Sequence, residues 1–255
     1  MEKINHELAA VYILWLRQIK RHLRSKARLV MSIFQPVLFL VAFGFGFKNV
    51  YAQAGQGDYI TFLAPGIVAM SVIFSAMFTG TEVISDKQFG FLKETLVAPI
   101  SRLAIMLGRT LGGASVAMLQ GLLVFFIAFL IGFTPVSLGG WLLALMFMFL
   151  IALMFTAFGT LLATFFNDMH AFPVIINMIV MPLFFLSGAL FPVEDLPAGL
   201  SVIVRFNPLS YGVDGVRGGL TGQFHYSISW DFLVLMALVA IILSVGSWLF
   251  SRMES

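Results

Sequence analysis

The 255-residue chain contains no cysteine, so it has no disulfide framework, no thiolate metal site and no cysteine nucleophile. Charge is scarce as well. Only 11% of residues are Asp, Glu, Lys or Arg, against roughly 25% in an average soluble domain. With 60% hydrophobic residues and a mean hydropathy of +1.00, there is too little charge to cover a water-facing surface, which excludes an ordinary soluble enzyme. The net charge of +3 is dispersed over 15 basic and 12 acidic side chains rather than massed along a groove, which excludes nucleic-acid binding. His6, His22, His170 and His225 are scattered and make no pair at metal-ligand spacing, so no metal site is expected. No lysine follows a glycine, so the Gly-Lys-Ser/Thr end of a phosphate-cradling loop is missing. The chain lacks a nucleotide engine of its own.

What is present is a series of charge-free apolar runs over residues 29–47, 59–81, 110–133, 140–166, 171–193 and 232–250. Each is long enough to cross about 30 Å of hydrocarbon. Every Asp, Glu, Lys, Arg and His lies outside them, and the chain reads as an all-α polytopic membrane protein with six transmembrane helices. With the N-terminus in the cytoplasm, only Lys48, Arg205 and Arg217 of the 15 basic residues fall outside. That bias places both termini on the cytoplasmic side of the plasma or inner membrane. Two regions follow: a cytoplasmic lead over residues 1–28 and a transmembrane domain over 29–255. On a helix, Arg17, Arg21, Arg24 and Arg28 share one face of the lead, while Leu8, Tyr12, Trp15, Ile19 and Leu23 share the other. This predicts an amphipathic interfacial helix, with its apolar side sunk in the bilayer and its basic side on anionic headgroups.

A chain that moves ions or protons unaided needs ionisable groups at membrane depth, and the runs carry none. A stand-alone channel or secondary carrier is therefore disfavoured. A membrane-embedded lipid enzyme would have only Asp168 and His170 to draw on, in one short turn. The polar residues inside the runs are mild: Ser71, Ser75 and Thr79 recur every four residues, and Gln120, Thr156, Thr160, Thr164 and Asn177 add to them. They suit helix packing or the lining of a passage. Gly108 and Gly112 form a small-xxx-small spacing that specifies little. Pro36, Pro65, Pro173 and Pro182 are expected to kink or break helices unless they sit in a first turn.

The longest inside segment runs from Glu82 to Arg109 with charges alternating in sign and Phe89, Phe91, Leu92, Leu96 and Val97 between them. Pro99 restricts Ala98 and ends one short helix; Ser101 caps the next. This describes either a compact docking element or a solvated charged hairpin. The longest outside segment, Glu194 to Asp231, holds Leu196, Leu200, Ile203 and Val204 at helical spacing behind Pro197, then a stop at Asn207-Pro208 and a second short helix from Tyr211 to Leu220. Neither is long enough to cross. Asp214 and Arg217, three apart, are expected to neutralise one another.

The inner segment, with Glu82, Asp86, Gly90, Glu94-Thr-Leu96 and Pro99-Ile-Ser101-Arg102 followed by Leu107-Gly108-Arg109, resembles the cytoplasmic signature of ABC-2 type transporter permeases. Phe185-Leu186-Ser187-Gly188, Phe191-Pro192, Leu196-Pro197 and Asn207-Pro208-Leu209-Ser210-Tyr211 with Asp214 and Arg217 are similar to the C-terminal pattern of its drug-exporting branch. The resemblance spans nearly the whole chain. It implies a half-transporter: two permease copies, a homodimer, on two copies of a separate ATP-binding-cassette ATPase that binds ATP and magnesium, with no cofactor on this chain. It implies a coupling helix between helices 2 and 3, which gives Glu82, Asp86, Gly90, Glu94, Pro99, Ser101 and Arg102 roles in docking or transmission. It also implies an outer re-entrant helical hairpin between helices 5 and 6, with Asn207, Pro208, Tyr211, Asp214 and Arg217 at an outer gate. The cargo expected is a hydrophobic or amphiphilic drug, lipid or glycan. A chain with 28 Phe and 14 Met builds a greasy, adaptable lining that suits such cargo better than ions.

Overall fold

The computed structural model describes residues 2–53, 58–193 and 197–252. All regular structure among the described residues is helical. The lead forms α1, Glu2–Arg24; a break at Ser25 separates it from α2, Lys26–Gly46, and the short α3, Lys48–Gln53. Then follow α4, Tyr59–Phe78; α5, Gly80–Gln88; and α6, Phe91–Val97. The remainder is α7, Arg102–Ile131; α8, Leu138–Phe165; α9, Ala171–Phe185; α10, Ala198–Phe206; α11, Pro208–Thr221; and α12, Ile228–Arg252. Arg28 of the expected basic face, with Glu194 and Leu196 of the outer segment, lies outside the described side chains.

Four helical stretches are long and apolar enough to cross a membrane: Tyr59–Gln88, Arg102–Ile131, Leu138–Phe165 and Ile228–Leu249. The other two expected spans are shorter apolar helices, Val30–Gly46 and Ala171–Phe185. The run over 171–193 is therefore not one helix. It stops three residues past Pro182, and Gly188 takes the left-handed φ of +77° that turns the chain away. At 1.5 Å per residue the 15 residues of α9 reach only about 22 Å. By contrast α2 and α4 continue through Pro36 and Pro65, and Pro173 sits harmlessly in the first turn of α9.

The central helix is α4, buried along most of its length and flanked by α2, α7, α8 and α11. Side chains such as Met31 and Phe34 on α2, Val174 and Met178 on α9, and Leu233 and Trp248 on α12 point outward. An apolar exterior of this extent suits hydrocarbon, not water. The outer segment is no surface loop: α11 is buried from Leu209 to Leu220 and packs on α8, Gly212 meeting Ile151 and Gly215 meeting the Phe147 ring.

Several ionisable groups expected to lie beyond the membrane spans are inside these longer helices and buried. Arg109 is in α7, Asp86 at the end of the α4–α5 stretch, and Asp231 in the first turn of α12, facing Asp214. Counting charge-free runs trims a helix at its last apolar residue, whereas the backbone ladder continues for as long as partners satisfy the charge.

Candidate functional site

The charged end of the bundle is organised around one carboxylate. Asp86 is 3% exposed and accepts hydrogen bonds from three arginines. Arg17 on α1 binds it bidentately, at 2.7 and 3.0 Å, and Arg21 one turn on reaches the same carboxylate at 3.1 Å and Ser85 Oγ at 3.0 Å. From the other side Arg109 of α7, 1% exposed, donates at 2.8 Å. Bidentate guanidinium pairing of this kind fixes geometry as well as charge. Glu82, one turn before Asp86, is also buried and adds its negative field at Arg109.

This arrangement corrects the expected placement of α1. Its apolar residues Leu8, Tyr12 and Leu23 are exposed as a lipid-facing helix requires, and Arg24 is exposed too. Arg17 and Arg21, however, turn into the protein rather than onto headgroups, because a buried carboxylate needs compensation that solvent cannot supply there. Gly108 and Gly112 make the approach possible. A Cβ at Gly108 would stand 2.8 Å from Leu14 Cβ, and one at Gly112 would stand 2.7 Å from Gln18 Cβ and Cγ. The small-xxx-small spacing thus has a specific use: it seats α1 on α7. Trp15 Nε1 donates to Ser115 Oγ at 3.0 Å on the same seam.

Beyond Asp86 the chain turns at Gly90, whose φ of +81° lies in the left-handed region. A residue with a Cβ there costs about 1–2 kcal/mol. Gly90→Ala is therefore expected to lower the melting temperature slightly, through backbone strain alone, since no neighbour lies within 4 Å of the added methyl. Thermal melting in detergent checks this. α6 then runs to Val97; Ala98 is extended (ψ 145°) ahead of Pro99, and Ser101 Oγ accepts from Ala104 N as the N-cap of α7. Ser101 in turn donates from its N–H and hydroxyl to Glu7 of α1, at 3.0 and 2.6 Å. Arg102 caps α6 by donating to Leu96 O at 2.8 Å, and Arg17 stacks on the Phe91 ring at 3.7 Å.

The seven residues expected to couple therefore fall into three groups. Glu82 and Asp86 are internal struts. Glu94, Pro99 and Ser101 are exposed at the tip, beside Lys93 and two strongly exposed apolar side chains, Phe89 (82%) and Val97 (73%). Gly90 and Arg102 shape the corner between these groups. With Leu92, Thr95 and Leu96 buried, the segment is a compact element rather than a solvated hairpin. Sequence reasoning missed Lys87, whose Nζ donates to the carbonyls of Ala163, Thr164 and Phe166 at 3.2, 2.6 and 3.2 Å and caps the end of α8. Nothing in its sequence neighbourhood marks it. Arg17 and Arg21 were legible as a stripe, but not their partner.

Asp168 and His170 form no catalytic pair. Asp168 accepts from the backbone N–H groups of His170 and Ala171, at 2.7 and 3.2 Å, which starts α9 and holds its carboxyl below the usual carboxylate range. At the opposite end, Asn207 caps α11 by accepting from Leu209 N at 3.0 Å and donates to Leu183 O at 2.6 Å; Pro208 opens the helix, and Tyr211 donates to Arg205 O. Asp214 and Arg217 do not pair. Asp214 accepts from His225 N and Tyr226 N at 2.8 Å each, while Arg217 donates to Gly188 O at 2.8 Å and stacks on the Phe62 ring. The non-helical stretch after α9 exposes carbonyls that need a donor, and Arg217 supplies it.

Of the polar residues inside the apolar runs, Ser71, Ser75, Thr79 and Gln120 line one cavity of about 370 Å³ walled mainly by α1, α2, α4 and α7. Ser71 and Thr79 bond back to their own helix, through Val68 O and Ser75 O. Asn177 lies elsewhere, exposed on α9.

Long apolar helices around a central buried one, with an apolar exterior and a charge-braced end, define a polytopic membrane protein. Residues 9–221 match the ABC-2 type transporter family, and the chain belongs to it as a membrane permease, not an ATPase. It is similar to the inner membrane transport permease YadH of Escherichia coli strain K12, at 25% identity over 90% of each chain. It is also similar to the ycf38 transport permease of Cyanophora paradoxa, at 27% identity over 76% of this chain and 68% of the relative. Nodulation protein J of Rhizobium leguminosarum bv. trifolii shares 29% identity over 83% of this chain and 79% of its own. An ABC permease works with an ATPase partner.

Proposed function

We propose that the chain is the membrane-spanning half of an ATP-driven exporter in the inner membrane. It acts as a homodimer on two ATP-binding-cassette subunits that bind ATP and magnesium, and it moves a hydrophobic or amphiphilic drug, lipid or glycan outward. In this reading all six apolar helices cross or enter the bilayer, both termini are cytoplasmic, and α10 and α11 form a re-entrant outer hairpin. The observation that carries it is the Asp86 cluster, which ties α1, α5 and α7 together behind an exposed tip made of Phe89, Lys93, Glu94 and Val97. A body without an engine needs a stiff handle, and this is one. α6 serves as the coupling helix, its exposed side chains docking on the ATPase while the buried ones transmit.

Glu94 is exposed in the first turn of α6 and its reversal should not disturb folding. Glu94→Lys is expected to leave membrane insertion and melting unchanged while uncoupling ATP hydrolysis from export in inverted vesicles that contain both subunits. Normal cargo-stimulated hydrolysis and export in that variant would count against the docking role. Solute movement down a gradient through purified protein, without nucleotide or ATPase, would favour a stand-alone channel or carrier instead.

A further inference from the structure

The cavity between α1, α2, α4 and α7 contains two buried amides that the packing does not explain. Gln18 is 2% exposed, and neither its Oε1 nor its Nε2 has a hydrogen-bond partner among the described residues. Its Cβ and Cγ rest against Gly112, so the amide end projects from the α1–α7 seam into the cavity it lines. Gln120, 1% exposed, accepts from Ser32 Oγ at 3.0 Å through Oε1 and leaves Nε2 without a partner. Buried polar groups are almost always paired, and leaving them unpaired costs stability. Simple packing would have favoured Leu at both sites.

The lining also indicates the kind of molecule that answers these amides. Among the described lining residues none is Lys or Arg, and Arg17, Arg21 and Arg109, which pair with Asp86, lie outside the lining. A phosphate or carboxylate head meets no lysine or arginine here. Glu82 and His22 are the titratable lining residues, and Glu82 already faces Arg109. Apolar surface from Met31 and Phe74 completes the wall, and Met31 is itself exposed on the outer side of α2, which opens the cavity toward the bilayer. At 1.5 Å per residue, Gln120 sits about 16 Å along α7 from Arg109, near mid-membrane, whereas Gln18 sits at the charged end. A volume of about 370 Å³ falls in the range of small-molecule sites.

We propose that this cavity is a lateral binding site, within one copy of the chain, for an uncharged amphiphile. Its head carries both hydroxyl or amide donors and acceptors, held between Gln18 and Gln120, and its apolar part lies along Met31 and Phe74 toward the lipid. The site rests on the exporter reading only in being set in a bilayer. Binding is read without ATP or the ATPase, so its failure is distinct from a failure of export.

The full chain in nanodiscs is exposed to two diazirine probes: a diacylglycerol within the bilayer and a hexyl glucoside added from water. The same diacyl chains carrying a phosphoglycerol or a trimethylammonium head serve as charged comparisons. Light-induced adducts are mapped by mass spectrometry. A neutral probe is expected to label residues around 70–78 and 113–120. Labelling by the lipid alone assigns the ligand to the membrane, and labelling by the glucoside alone assigns it to solution; either supports the site. Gln18→Leu and Gln120→Leu are each expected to cut the labelling about tenfold, the size of one lost hydrogen bond. Gln18→Leu is expected to melt no earlier than wild type, because it removes an amide with no partner, whereas Gln120→Leu also loses the bond from Ser32 and is expected to melt slightly earlier. The proposal is overturned if both variants label like wild type, if a charged head labels these residues as strongly as the neutral ones, or if Gln18→Leu melts earlier than wild type, which would mean that its amide is bonded within the protein.

Discussion

Asp86→Ala is expected to destabilise the protein by about 3–5 kcal/mol, more than any other side-chain truncation at the charged end of the bundle. The cause is specific. Arg17 and Arg21 are partly exposed and can relax toward water once their carboxylate is gone, but Arg109 is sealed in α7 and cannot. The cost is that of an uncompensated buried guanidinium, a large share of the 5–15 kcal/mol that holds a typical domain folded. Yield in the membrane fraction and melting in detergent measure it. The double variant Asp86→Leu with Arg109→Met removes the buried Asp86–Arg109 pair as a unit and is expected to melt well above Asp86→Ala, yet not to transport, because α1 has lost its tie to α5. A double variant no more stable than the single one would show that the cluster is held by something other than charge compensation.

Gly66→Val is expected to be comparably damaging for a steric reason. A Cβ at Gly66 would stand 2.9 Å from both Cα and the carbonyl carbon of Ala189, in the backbone of the stretch that follows α9. Backbone cannot rotate away like a side-chain tip, so α4 and this stretch must part, at about 1–3 kcal/mol or more for overpacking. Two further contacts there depend on the same spacing: Tyr59 donates to Leu190 O at 2.8 Å, and Arg217 donates to Gly188 O. The variant should open the end of the bundle opposite Asp86, read as raised labelling of an introduced Ser187→Cys by an aqueous thiol reagent. Gly46→Val, with nothing within 4 Å, is the matched comparison and should leave labelling and melting unchanged.

Much of this fold was legible in the chain. Six charge-free runs, an amphipathic lead and a Pro-Ile-Ser-Arg corner all correspond to helices or caps seen in the structure. Periodicity sees apolar faces, so it found the helices. It could not see that a segment satisfies its polar groups through a distant residue. That is why the fifth run read as one span although Arg217, almost 30 residues on, caps its broken end. It is also why Arg17 and Arg21 read as lipid-facing: a stripe of arginines looks the same whether headgroups or Asp86 lie opposite. Gln18 left no trace at all, because a lone amide in a charged helix is ordinary until Gly112 brings it under α7.

The bonds made by Lys87 and Asp86 have a mechanical consequence. Residues one apart on α5 fasten it in opposite directions, Asp86 to α1 and α7 and Lys87 to the frayed carbonyls of α8. Force applied at the tip cannot be absorbed by one strut bending alone. It either carries four rods along as a block or must first prise apart the buried Asp86–Arg109 pair, so displacement there should follow a snap-action switch, with little travel below threshold and nearly full stroke above it.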